Sequence, residues 1–135
     1  MTLDPQALAP ALAAAEQAGW MVVRLDLDGV RSKADLMGRC ERALRLPEHF
    51  GGNWDALADC LIDLSWLPAA SGRLLAITSW RGYAAARPGD WETFQDVLEQ
   101  AVDFWRGSTE GVLTVLLADP GEKPRPKPGP PPRRG

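Results

Sequence analysis

Two nearly unbroken apolar runs constrain this chain more than any other feature: Leu74-Leu75-Ala76-Ile77, and later Val112, Leu113, Val115, Leu116 and Leu117. Runs of this kind suit strands covered on both faces. Between them Phe94, Val97, Leu98, Ala101, Val102 and Trp105 recur at helical spacing and trace the core stripe of a helix that ends near Arg106. Buried strands joined through a helix imply a parallel sheet with right-handed crossovers, which places the chain in the α/β class.

The remaining elements follow from local signals. Asp4 as cap, Pro5 at the first helical position and Gly19 past the end bracket an added helix near residues 5 to 18. Leu8, Leu12 and Ala15 lie along one side of it, and it is expected to pack against the domain. In residues 20 to 27, Met21, Val23, Leu25 and Leu27 alternate with Arg24 and Asp26, the period of a strand. Asp28-Gly29 turns the chain. Ser32 with Asp35 three residues later forms a capping box with the shorter acid, and Leu36, Cys40, Ala43 and Leu44 carry a helix to about Leu46. Pro47 ends that helix, Gly51-Gly52 makes a loop free to adopt positive φ, and Asn53 caps a new helix from near Trp54. Beyond Pro68, Ser71-Gly72 leads into a strand over residues 73 to 79, and residues 80 to 87 form a connector with about one helical turn. Pro88-Gly89 breaks the chain before a helix capped by Asp90, and residues 111 to 118 make the third strand. The expected architecture is a small three-stranded parallel sheet packed with helices. It divides into a helical extension over residues 1 to 19, a domain over 20 to 119 and a tail over 120 to 135.

At 135 residues and 45% hydrophobic content the chain supports one domain with a real core. Six Trp residues are many for that length, and most are expected to anchor the core or an interface. Charge is unevenly placed. Residues 1 to 120 carry ten Lys/Arg against seventeen Asp/Glu, and residues 121 to 135 carry five against one. An acidic body repels nucleic acid and attracts basic proteins. The Pro-rich basic tail has no large apolar residue to bury and is expected to be extended with polyproline II character. Cys40 and Cys60 form no CxxC pair and have no neighbouring His, so two buried or half-buried free thiols in a reducing cytosol are expected. The N-terminus has no basic segment before an apolar core, and no run approaches the roughly 18 apolar residues of a membrane span, so a cytoplasmic location is expected.

On the helix after Asn53, Leu57, Leu61 and Leu64 share one side, while Asp55, Asp59 and Asp63 form a stripe nearly opposite. Like charges four residues apart each cost about 0.2 to 0.5 kcal/mol, so the stripe is mildly unfavourable to the free fold. It is either an ordinary solvated face or a surface shaped for a cationic partner. Order and identity decide for the second. Leu46, Pro47 and Glu48, then Phe50 and Gly51, then Asn53, Asp55, Ala56, Leu57, Asp59, Cys60 and Leu61 closely resemble the signature of the barstar family of ribonuclease inhibitors. The order of elements along residues 20 to 118 fits the same family. The segment departs from its most familiar member at His49-Phe50, where that protein has two Tyr, and at Gly52, where it has Glu.

The resemblance implies an intracellular inhibitor, of the antitoxin or immunity kind, that blocks a basic ribonuclease, barnase-like or a toxin nuclease. It would present carboxylates where the enzyme binds RNA phosphates. Asp59 would sit deepest and Asp55 beside it, flanked by His49, Phe50, Gly51, Gly52, Asn53, Trp54 and Asp63. Gln100, with Glu99 next to it, aligns with a further acidic contact of the family. The residues themselves argue against catalysis, since His49 is the only His and no nucleophile motif or phosphate loop accompanies it. A straight stripe of Asp does not wrap a cation with six oxygens, so no metal or other cofactor is expected. The free protein is expected to be monomeric, without direct contact to nucleic acid or membrane. The other reading is an acidic adaptor on the same fold that binds a basic partner other than a nuclease.

Overall fold

The computed structural model describes residues 8–47, 50–68, 70–108 and 111–118, together with the backbone of residues 5–6. Asp4, Glu48, His49 and the tail lie outside the described residues. The chain runs β1 (Pro5–Gln6), α1 (Leu8–Gln17), β2 (Met21–Asp26), α2 (Lys33–Leu44), α3 (Trp54–Leu61), β3 (Gly72–Thr78), α4 (Arg81–Ala86), α5 (Pro88–Arg106) and β4 (Val112–Ala118). The sheet has the order β1-β4-β3-β2 and every pairing is parallel. The three expected strands form its body, in a register that sets Val23 beside Leu75 and Leu75 beside Val115.

The N-terminus corrects the sequence expectation. Pro5–Gln6 is a short edge strand against Leu117 and Ala118, and the helix begins only at Leu8. Pro10 then falls in the first helical turn, where no intrahelical N–H is required. Ladder bonds to β4 hold the stretch that local signals assign to the helix start. At its other end α1 closes as expected beside Gly19, with the Trp20 N–H on Ala15 O at 2.9 Å and the Gly19 N–H on Glu16 O at 3.1 Å. A second correction concerns α5, which starts at Pro88 in the first helical position rather than after a break. Asp90 lies inside its first turn and pairs with Arg87 at 3.1 Å instead of capping.

Both sheet faces are covered, as the apolar runs require. On one face Leu74, Ala76 and Leu116 pack with Ala15 and with Leu8, Ala11, Leu12 and Trp20, so α1 closes that side. Trp20 lies so close over β3 that a Cβ at Gly72 would run into its ring. On the other face Leu75, Ile77, Leu113 and Leu117 join Leu25, Leu36, Leu57, Leu61, Phe94, Leu98 and Trp105 in the main core. Residues of alternating parity along β3 thus feed two separate apolar layers. Trp80, Trp91 and Trp105 are buried and Trp20, Trp54 and Trp66 half-buried. Trp80 and Trp91 stack with ring centroids 5.2 Å apart, and the Trp80 indole N–H donates to Ala118 O at 2.9 Å.

Strand β2 ends in a polar knot at Asp26. Burial would raise its pKa, but hydrogen bonds from the Asp28 N–H and the Ser79 and Thr78 hydroxyls, with the Arg39 charge, outweigh burial and hold it below the ordinary 3.8. Arg39 also donates to Asp26 O and Asp28 O, both at 2.7 Å, and so ties α2 to the strand end. Among the described residues, no helix is long and apolar enough to cross a membrane.

Candidate functional site

Helix α3 forms where the sequence predicts because its start is chemically explicit. Asn53 is extended at φ -131°, and its side-chain oxygen accepts from the Ala56 N–H at 2.8 Å. One orphan amide of the first turn is thereby satisfied. Just ahead, Gly52 has φ +72°, a conformation that costs any L side chain about 1 to 2 kcal/mol. That backbone accounts for Gly at this position. Phe50 is half-buried against the main core, and Gly51 is exposed.

Two aromatic anchors fix α3 on α5. At its N-terminus Trp54 is half-buried, with its ring 6.4 Å from that of Phe94. At its C-terminus the Trp105 indole N–H donates to Leu61 O at 2.7 Å, capturing a carbonyl that the last turn leaves free. Between them Leu57 and Leu61 are fully buried. The opposite side is thus held outward, with Asp55 and Asp59 exposed one turn apart. Among the described residues the ion pairs are Arg87 with Asp90 and Arg106 with Asp103, and neither involves Asp55 or Asp59. The thiol beside them registers the field. Burial first, then the Asp63 and Asp59 charges, push the Cys60 pKa up.

The stripe is shorter than the sequence suggests. The helix ends at Leu61, and Leu64 turns into the left-handed region at φ 54° to bury its side chain. Asp63 therefore lies in the following turn, exposed, with Oδ1 accepting from the Ser65 N–H at 3.2 Å. On α5, against which α3 packs, Gln100 is exposed, while Glu99 is half-buried with its Oε2 shielded from solvent. Of the residues singled out from the sequence, Phe50, Gly51, Gly52, Asn53, Trp54, Asp55 and Asp59 form one continuous loop and helix. Trp105 and Phe94 hold that helix in place and were visible in the sequence only as part of a core stripe. Cys40 is buried and Cys60 half-buried, and both are free thiols. Among the described residues no group of three His, Cys, Asp or Glu gathers to hold a metal.

The family model of barstar, the barnase inhibitor, matches residues 20–118. The chain belongs to the barstar family. No curated protein matches it. The match covers β2 through β4, so the acidic helix lies within the barstar region, whereas β1 and α1 precede it. That added helix packs on the sheet face away from α3 and leaves the acidic side of the barstar domain open.

Proposed function

We propose that this barstar-family protein inhibits a ribonuclease by seating the loop at residues 50 to 53 and helix α3 in the enzyme's cationic cleft. The carrying observation is that Asp55 and Asp59 project to solvent from a helix anchored at both ends, with no ion pair to the described residues. Side chains four apart on a helix stand about 5 to 6 Å apart, so the two carboxylates offer a repeating negative charge to side chains that bind successive phosphates. Arg, Lys and His of the enzyme then meet fixed anions in place of RNA, and no chemistry is required of the inhibitor. Rigid presentation matters because it removes ordering cost at binding.

Titrating a barnase-type ribonuclease with the protein tests this reading. Activity is expected to fall to a stoichiometric end point near one inhibitor per enzyme, with an association rate that drops as salt rises while dissociation changes little. The barstar complex is itself the reference case for such charge-steered association, so the effect is carried over from the family. Failure to inhibit any of a panel of such enzymes would contradict the proposal.

A further inference from the structure

A cleft of about 700 Å³ opens beyond the C-terminal ends of α3 and α5, bordered among the described residues by Ile62, Asp63, Leu64, Arg73, Phe104 and Trp105. Its volume lies in the range typical of small-molecule sites. Two of its walls are apolar side chains left in water: Phe104 is 51% exposed and Ile62 37%. Phe104 meets Trp105 edge to face at 5.7 Å, which builds a right-angled aromatic corner whose Phe104 wall is open to solvent.

Arg73 forms the polar end. It is only 7% exposed, yet among the described residues no carboxylate pairs with it. Among the described residues, one Nη2 hydrogen bond to Pro68 O at 2.9 Å serves a group with five donors, and Nε has no acceptor. The guanidinium lies 5.7 Å from the Trp105 ring, a cation–π contact that supplies no counter-charge. A buried cation with an unfilled donor set at the end of a half-apolar cleft calls for an anion. Asp63 and the negative ends of two helices border the same cleft and disfavour a multiply charged ligand.

We propose that this cleft binds a small monocarboxylate on a flat apolar body, the carboxylate meeting Arg73 and the body lying against Phe104, Trp105 and Ile62. The site is separate from the exposed Asp55 and Asp59 and does not depend on ribonuclease inhibition.

Titration of the full chain with 3-phenylpropionate, followed by amide and indole N–H resonances, tests the assignment. The Trp105 indole and the amides of residues 62 to 65 and 104 to 108 should shift and saturate. The neutral 3-phenylpropanol and inorganic phosphate should each bind at least about tenfold more weakly, and Arg73→Gln should weaken 3-phenylpropionate by about tenfold. Phe104→Ala, at an exposed position, should weaken it by about threefold or more and keeps the test open if Arg73→Gln fails to fold. No saturable shift, equal binding of acid and alcohol, phosphate binding as tightly as the acid, or undiminished binding by folded Arg73→Gln or by Phe104→Ala would each overturn the proposal.

Discussion

Tyr83 carries the chain's single phenol to a position without solvent exposure, and its hydroxyl has no hydrogen-bond partner among the described residues. Burial, then the Asp90 charge, raise its pKa; Arg87 opposes and Cys40 adds, leaving it at about 12 against an ordinary 10.0. Burial alone pushes the Cys40 thiol from 9.0 to about 12. Both groups therefore ionise more easily in the unfolded chain than in the fold. Their contribution to stability is complete below pH 9.0 and is lost as pH rises from there toward about 12. Urea midpoints should stay level from about pH 7 to about pH 9 and decline above it, with a shallower decline in Tyr83→Phe. A decline finished below that window, or one that Tyr83→Phe leaves unchanged, would contradict this account. The burial of Cys40 was legible from the sequence, and that of Tyr83 was not. Cys40 could be placed on a helix stripe, but Tyr83 stood in a connector, and its packing against Trp91 depends on how the next helix, α5, folds back on that connector.

At the scale of elements, α3 shows which parts of a helix a sequence declares. Its start was legible because Asn53 and Ala56 lie three residues apart and the cap bond is local. Removing that bond in Asn53→Ala should lower unfolding free energy by about 1 kcal/mol, read from urea denaturation; a change under about 0.3 kcal/mol would show the cap to be idle. The helix end was not legible. Placing Asp63 on the stripe assumed another turn, whereas Leu64 reverses the chain to reach the core, a tertiary demand. The same limit explains Pro5, whose local chemistry fits a helix start but whose backbone pairs with Leu117, and Arg73, which reads as one polar residue heading an apolar strand. Strands β3 and β4 were legible because burial leaves apolar runs that need no long-range knowledge, and β2 because its alternation shows through its exposed Arg24 and Asp26.

Across the whole molecule, two apolar layers separate two roles. The layer under α1 completes the sheet, and the layer under α2, α3 and α5 supports the acidic helix. Because Asp55 and Asp59 have no ion pair among the described residues and Asp59 stands one turn from Asp55, Asp59 should matter to a complex and not to the fold. The most direct measurement is the dissociation constant of the Asp59→Ala protein for an inhibited barnase-type ribonuclease, taken beside its thermal midpoint. Barstar is the reference case for interface hot spots of this kind, so the size is borrowed from the family: a loss of at least about 2 kcal/mol, or roughly thirtyfold, with a melting temperature unchanged or slightly raised. Affinity within about twofold of wild type, or a loss matched by unfolding of the free protein, would contradict the account.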